Sequence, residues 1–305
     1  DSEEPKRKTR QLRLLQGALR MIEHDSTQAR AEFAERLRVE VPIRSDALVR
    51  GVSKVAREQF VGPGPWKILR RSEIEKGYET TVDDNPKHIY DTVLVALDHT
   101  RNLNNGEPAA LLSWLDSLDL NRGDSFLHVG CGVGYYTAIA AEAVGSEGRV
   151  TAIEIDAQLA RQAERNLGSY ANVRVIAANG GSEIQGAFDA IFVNAGCTHP
   201  QPSWLDRLTT GGRLLIPLTA NSPMLNIGWG MMLLVTRRES SYQARFSSHV
   251  GIYHCEGCRT ENNNDLLKKS FTRQGHELVR QLRRDAHEPG SDCWLHGSGF
   301  CLSFS

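Results

Sequence analysis

The sequence predicts an α/β protein with a mostly parallel sheet, because short apolar runs alternate with helical patterns through its second half. The runs are apolar almost throughout, which is typical of strands covered on both faces. No convincing helical pattern separates the last two runs, so we expect an antiparallel hairpin there. Seven strands are predicted, at residues 125–129, 149–155, 172–176, 188–194, 213–218, 231–236 and 244–250.

Helical patterns connect the first strands and also precede them. Apolar residues recur every three or four positions in these segments. Two prolines and two glycines at residues 61–65 end one of the patterns, since neither residue type continues a helix easily. The polar segment that follows, 66–106, is predicted to be irregular. Helices are predicted at residues 1–40, 46–60, 109–118, 135–144 and 157–167.

Composition limits the classes of function. The chain has 305 residues, with 36 Lys and Arg against 37 Asp and Glu, and a net charge of −1. A near-neutral chain lacks the field that attracts nucleic acids or acidic membranes, so we expect neither as a partner. No apolar stretch approaches the roughly 18–20 residues that cross a bilayer, and the N-terminus has no apolar signal-peptide segment. Six cysteines do not make a disulfide scaffold, so a reducing cytoplasm is expected.

The N-terminal segment carries an apolar stripe at Leu12, Leu15, Leu19 and Ile22. This stripe favours a solvated amphipathic helix or a dimerisation arm, so a homodimer through the N-terminal helices is one expectation. A basic run at residues 6–10 is the one feature that favours nucleic acid, and neighbouring acidic residues offset it.

The strongest motif lies where the first predicted strand meets helix 135–144. Residues 127–135 read LHVGCGVGY, with glycines spaced as G-x-G-x-G. Glycines there permit a tight turn and a close approach of the backbone to a ligand, and the helix start favours a carboxylate or phosphate. The spacing differs from the G-x-G-x-x-G of dinucleotide sites and from the P-loop, so nucleotide triphosphate hydrolysis is not expected.

Two further features complete a pocket. Glu154 ends the second predicted strand, where a carboxylate can accept both hydroxyls of a ribose. Asn179 and Gly180 follow the third strand, in a position to meet an adenine ring. Together these features suit an adenosine that carries a short carboxylate arm and no pyrophosphate, which describes S-adenosyl-L-methionine (SAM).

At these residues the sequence resembles the class I SAM-dependent methyltransferases, and within them the protein-L-isoaspartate O-methyltransferase family. The resemblance covers about residues 46–250. Residues 55–61 (VAREQFV) are similar to the family's VPRxxFV segment, and residues 130–138 (GCGVGYYTA) to its cofactor loop. Residues 188–191 and 211–217 are similar to its later strands. The resemblance implies a Rossmann-like, doubly wound fold with N-terminal helical and C-terminal additions.

The resemblance also implies the cofactor, SAM, and a division of the chain. The divisions are an N-terminal helical extension (1–45), an acceptor-side region (46–120), a SAM-binding core (121–250) and a C-terminal extension (251–305). Asn179 stands where the family normally has Asp, and its carbonyl oxygen can still accept from the adenine amine. The expected cofactor contacts are Gly130, Cys131, Gly132, Gly134, Tyr136, Glu154, Ile155, Asn179, Gly180 and Asn194.

The methyl-acceptor site departs from the family. A Thr-Ile-Ser-x-Pro-like segment in the family is replaced here by Asn104-Asn105-Gly106-Glu107-Pro108, so two amides stand in place of hydroxyls. Asn104 and Asn105 are therefore the acceptor-site candidates. A carboxylate acceptor needs no general base, whereas an amine or alcohol would need one, for which His199 is the candidate. A loop position before Pro200 is the alternative for His199.

Cysteine and histidine near the C-terminus raise the question of a metal. Cys255 and Cys258 have C-x2-C spacing with His254 beside them, and Cys293, His296 and Cys301 follow. The second set lacks a regular paired spacing, so we expect free thiols and no metal.

The predicted activity is methyl transfer from SAM to a carboxylate on a peptide or protein, with an isoaspartyl residue as the leading acceptor. One alternative is O- or N-methylation that tailors a ribosomal peptide or a small-molecule natural product. Another is a SAM-binding protein without catalysis, which the loss of the acceptor-site hydroxyls favours.

Overall fold

The computed structural model describes residues 25–182, 184–222 and 227–305. It divides the chain between Leu112 and Ser113 into two compact units. The predicted apolar stripe at Leu12 to Ile22 and the basic run at 6–10 lie outside the described residues. The predicted division into four parts is not decided by this two-unit split and stays a prediction.

The first unit begins with helices. The described part of helix α1 covers residues 25–40, and α2 (Asp46–Lys54) and α3 (Glu58–Val61) follow it. The single helix predicted over 46–60 is wrong, because Val55 adopts an extended conformation (φ −81°, ψ 113°) that separates the two helices. The expected break at residues 61–65 is present, with Gly62 in a positive-φ conformation after α3.

Residues 66–106 form an antiparallel sheet of four short strands, so the prediction of an irregular segment is wrong. The sheet order is β2-β1-β3-β4. Two of the strands have only two residues each, which is too short for an alternating pattern to show in the sequence. The strands are β1 (Lys67–Arg70), β2 (Glu79–Thr80), β3 (Val93–Asp98) and β4 (Leu103–Asn104), with 3₁₀ turns at Arg71–Lys76 and Pro86–Ile89. Ile68, Val93 and Val95 pack in its small core.

The second unit is built on a sheet of ten described strands, in the order β13-β14-β12-β11-β10-β9-β8-β5-β6-β7. Strands β5 to β9 are parallel and the others are antiparallel. The strands are β5 (Ser125–Val129), β6 (Arg149–Glu154), β7 (Val173–Ala177), β8 (Phe188–Val193), β9 (Leu208–Asn221), β10 (Gly228–Arg237), β11 (Tyr242–Ile252), β12 (Gln281–Arg283), β13 (Cys293–Gly297) and β14 (Phe300–Ser303). The helices are α4 (Pro108–Ser117), which crosses the division between the units, α5 (Tyr135–Val144), α6 (Ala157–Asn166), α7 (Pro202–Asp206) and α8 (Glu261–Arg273).

The predicted fold class is confirmed, but the count of seven strands is not. The seven predicted strands correspond to β5–β11, and the hairpin predicted at the end is β10–β11. The C-terminal extension then adds three short strands, β12–β14, to the same sheet. These strands have only three to five residues each, so their apolar runs are too short to mark a strand in the sequence.

The parallel half of the sheet determines where a ligand can bind. Strand order runs outward from β5 in both directions, to β6 and β7 on one side and to β8 and β9 on the other. Such a reversal point leaves a crevice at the carboxyl ends of the strands, where open α/β sheets bind ligands. Among the described residues no helix is both long and apolar enough to cross a membrane.

Candidate cofactor-binding site

The glycine loop joins β5 to α5 at the carboxyl edge of the sheet. Gly132 has φ +56° and Gly134 has φ +92°, conformations that disfavour residues with a side chain. A Cβ atom on Gly134 would come within 2.7 Å of Leu167, whereas one on Gly132 would meet no protein atom within 4 Å. Gly134 is therefore required for packing of α5, and Gly132 is the loop position whose backbone faces open space.

Glu154 connects this loop to the end of β6. Its side chain is only 7% exposed. One carboxylate oxygen accepts the N–H of Gly132 at 2.8 Å, and the other accepts the N–H of Asp156 at 3.0 Å. Each carboxylate oxygen has a second lone pair, so Glu154 can hold the loop and also accept ribose hydroxyls. The next side chain, Ile155, is 44% exposed and offers an apolar surface at the same edge.

Cys131 and Tyr136 lie mainly inside the protein. Burial, and then the charge of Glu154, raises the pKa of the Cys131 thiol far above its usual range, so the group stays neutral. Tyr136 is buried at the start of α5, where its ring meets that of Tyr135 edge-on at 5.0 Å. The N-cap residue Gly134 provides no side-chain hydrogen bond, so the first N–H groups of α5 suit an anionic ligand group.

A second glycine turn follows β7. The side-chain oxygen of Asn179 accepts the N–H of Gly181 at 2.9 Å, and Trp204 donates to the carbonyl of Gly180 at 2.8 Å. A Cβ atom on Gly180 would collide with the side chain of Val129, so glycine is what allows this turn to pack against the end of β5. The predicted adenine-side pair is therefore adjacent to the loop.

Asn194 follows β8 and closes the same edge. Its backbone N–H donates to the carbonyl of Val129 at 2.8 Å, and its side-chain amide donates to the carbonyl of Gly130 at 3.4 Å. The structure thus brings the predicted cofactor residues from four strand ends to one edge of the sheet. That these residues contact SAM stays a prediction.

His199 lies in a different environment. Its ring nitrogens lie 3.1 Å from the hydroxyl of Thr198 and 3.2 Å from the amide of Gln201. Its ring stacks against Phe300 of the C-terminal extension at 6.4 Å, and burial lowers its pKa. These contacts favour a packing role, so its use as a base stays a prediction and forms no part of the function proposed below.

The acceptor candidates lie in the first unit. The side-chain oxygen of Asn104 accepts the N–H of Gly106 at 2.9 Å, and the backbone N–H of Asn105 donates to Val95 at 2.8 Å. The side chain of Asn105 is 8% exposed, and its amide nitrogen has no hydrogen-bond partner among the described residues. A buried donor without a partner costs about 1–3 kcal/mol, so this amide is suited to a ligand that accepts a hydrogen bond.

Arg57 holds this segment, a role that the sequence pattern alone does not assign to it. Its side chain is completely buried. Its guanidinium group donates to the carbonyls of Ile89 at 2.8 Å, Val93 at 2.8 Å and Gly106 at 3.2 Å. Arg57 therefore anchors the backbone next to Asn105. The available signal was its place in residues 55–61, which resemble a family segment.

The glycine loop, the carboxylate bound to its backbone and their place at the reversal point of the sheet define a class I SAM-dependent methyltransferase. The family model described as Protein-L-isoaspartate(D-aspartate) O-methyltransferase (PCMT) matches residues 28–228. The chain belongs to this family, and SAM is its cofactor. Residues 229–305 lie beyond the matched part.

Curated relatives carry the same family name. A protein-L-isoaspartate O-methyltransferase 1 of Archaeoglobus fulgidus is 30% identical over 209 residues, which cover 67% of this chain and 85% of the relative. A protein-L-isoaspartate O-methyltransferase of Methanococcus aeolicus is 35% identical over 141 residues, 44% of this chain and 64% of that protein.

Solved structures show the same fold. A protein-L-isoaspartate O-methyltransferase aligns with a TM-score of 0.60 and 19% identity, over 84% of this chain and 72% of that one. A PCMT from Plasmodium falciparum, in complex with S-adenosyl-L-homocysteine, aligns with a TM-score of 0.56 and 17% identity, over 74% and 98%.

Proposed function

We propose that this chain transfers the methyl group of SAM to a carboxylate on a peptide or protein, with an isoaspartyl residue as the leading acceptor. Family membership supports the reaction. The observation that supports the acceptor class is the amide nitrogen of Asn105, a buried hydrogen-bond donor that has no partner among the described residues. A carboxylate oxygen is the kind of group that satisfies such a donor.

The second unit provides the residues that would hold the cofactor. The oxygens of Glu154 accept ribose hydroxyls, Ile155 presents an apolar surface to the adenine ring, and the first turn of α5 favours the carboxylate of the methionine arm. The open space beside Gly132 lets the backbone approach the ligand closely. Bound SAM supplies a methyl group activated by a positively charged sulfur.

Positioning, rather than proton transfer, is the task left to the protein on the acceptor side. A carboxyl group has a reference pKa of about 4, so it is ionised at neutral pH and needs no base. Asn105 would donate to one carboxylate oxygen and orient the other. Arg57 supports this arrangement because it holds the carbonyl of Gly106 next to it. An amide does not titrate, so this interaction would be independent of pH wherever the acceptor carboxyl is ionised.

The test compares two peptides that differ only in one residue, isoaspartyl or aspartyl, with labelled SAM. We expect label on the isoaspartyl peptide that is released by mild base, as a methyl ester is. Asn105→Ala should lower kcat/KM by about tenfold or more through loss of one hydrogen bond to a charged group, with SAM affinity unchanged. Asn102→Ala, an exposed neighbour in the preceding turn, is the control.

Other outcomes would point to other functions. Label found only in a pooled extract of peptides and metabolites would overturn the isoaspartyl acceptor and favour a tailoring methyltransferase. SAM that is retained without transfer to any acceptor would favour a binding protein without catalysis.

Homodimerisation stays a prediction, and a reducing compartment such as the cytoplasm is our proposed location.

A further inference from the structure

We propose that the C-terminal extension binds one zinc ion through His287, Cys293, His296 and Cys301. One ligand atom from each of the four side chains lies within 4.8 Å of the others. All four residues lie beyond residues 28–228, the part that matches the family. The irregular spacing in the sequence favours no metal, and His287 lies outside the motifs that the spacing singles out. In the fold, the loop before β13 and the β13–β14 hairpin bring the four side chains together.

The distances suit a tetrahedral ion. A zinc ion with Zn–S bonds of about 2.3 Å and Zn–N bonds of about 2.0–2.1 Å separates its ligand atoms by about 3.3–3.8 Å. The Sγ atom of Cys293 lies 3.6 Å from the Nε2 atom of His287. His296 and Cys301 are directly paired across the β13–β14 hairpin, and the rings of His287 and His296 are perpendicular with centroids 4.7 Å apart.

The surrounding hydrogen bonds prepare these side chains as ligands. The Nδ1 atom of His287 lies 3.0 Å from the backbone carbonyl of Asp285 and 3.2 Å from its carboxylate, so Nδ1–H donates there and Nε2 keeps its lone pair. This pairing of a carboxylate and a histidine is typical of zinc ligands. Gly290 donates its N–H to the sulfur of Cys293 at 3.4 Å, which suits a thiolate.

His296 gives an independent observation. Its Nδ1 atom is buried and has no hydrogen-bond partner among the described residues. A buried imidazole nitrogen without a partner is costly, and a metal ion removes that cost. Two thiolates and two neutral imidazoles would balance the charge of Zn²⁺, and nitrogen and sulfur donors favour zinc over calcium or magnesium.

Four protein ligands leave no open position, so the role is structural. The ligands join the loop before β13 to both strands of the β13–β14 hairpin, which among the described strands pairs with the rest of the sheet through the three-residue strand β12. Such short strands gain little stability from pairing alone. A metal crosslink would fix the end of the extension, where Trp294 and Leu302 join the main core.

A second group of buried thiols provides a matched control. Cys197, Cys255 and Cys258 also lie within 4.8 Å of one another, but this group offers three such ligands rather than four. Replacing Cys255 removes a buried thiol from the same C-terminal part of the chain and leaves the four proposed ligands intact. It therefore separates loss of this site from general damage.

The experiment measures zinc in the full chain, purified under reducing conditions without chelator, by mass spectrometry of the metal. We expect wild-type protein to hold one equivalent more than Cys301→Ser, and Cys255→Ser to retain that equivalent. Wild-type protein stripped of metal and titrated with CoCl₂ should show the absorption of a tetrahedral site with two sulfur ligands. This second measurement needs no variant to fold.

Four results would contradict the zinc proposal. Wild-type protein without zinc, or Cys301→Ser with as much zinc as wild type, would overturn the proposal. If wild-type protein holds a single equivalent, its loss in both Cys255→Ser and Cys301→Ser would also overturn the proposal, because the metal would then not be assigned to these four ligands. An octahedral cobalt spectrum would exclude the proposed ligand set.

Discussion

Replacing Glu154 tests the cofactor site most sharply, because its carboxylate has two tasks. It accepts backbone N–H groups from Gly132 and Asp156, and we propose that it also accepts the ribose hydroxyls. Glu154→Ala removes a charged acceptor and leaves the N–H of Gly132 without its partner. Loss of a hydrogen bond to a charged group costs about 1.5–3 kcal/mol, which corresponds to about 10- to 150-fold in Kd.

The assay is isothermal titration calorimetry with SAM, alongside thermal unfolding of each variant. Asp156→Ala is the control, since that side chain caps α6 by accepting the N–H groups of Gln158 and Leu159. Loss of a cap should lower stability by about 1 kcal/mol and leave the Kd for SAM unchanged. A wild-type Kd for Glu154→Ala would refute the assignment of the ribose contact.

Three further predictions concern the loop, the acceptor segment and the core. Gly132→Val should weaken SAM binding about tenfold or more, because its side chain would occupy the ligand space. Gly211→Val is the control, since Gly211 has φ +81° and an added Cβ atom would also meet no atom within 4 Å. This control introduces the backbone strain alone, so it should bind SAM normally. Arg57→Lys should lower the free energy of unfolding by about 2–4 kcal/mol in chemical denaturation, since buried carbonyls lose donors, while Arg50→Lys at the surface should not. Burial lowers the pKa of His128 from 6.5 to about 3, so between these values the unfolded chain takes up a proton that the folded chain refuses. The free energy of unfolding should therefore decrease as the pH is lowered below 6.5, by up to about 1.4 kcal/mol per pH unit. His128→Leu should flatten this slope, and an unchanged slope would contradict the interpretation.

The sequence could predict the elements around the cofactor because local signals agree there. Strand 125–129 and helix 135–144 have the predicted bounds, since the strand is mostly apolar and glycine marks its end. Strand β9 begins earlier than predicted, at Leu208, because Gly211 and Gly212 interrupt its apolar pattern. Two-residue strands such as β4 leave no pattern at all.

The features that carry the two proposals depend on tertiary contacts. Asn105 could be selected as a replacement within a family segment, but only the fold shows that its amide nitrogen is buried and has no partner in the described part of the chain. Arg57 donates to carbonyls more than 30 positions away along the chain. His287 joins Cys301 because the loop before β13 lies beside the β13–β14 hairpin, and the two strands of that hairpin are too short to be recognised from sequence spacing.

The central claim is that the backbone of residues 130–134 holds SAM at the carboxyl edge of the sheet. The most direct measurement is a titration of ¹⁵N-labelled protein with SAM, followed by the amide resonances. We predict saturable shifts concentrated at Gly132, Gly134 and the residues beside Glu154. Saturation that moves only resonances elsewhere, or no response to SAM, would contradict the account.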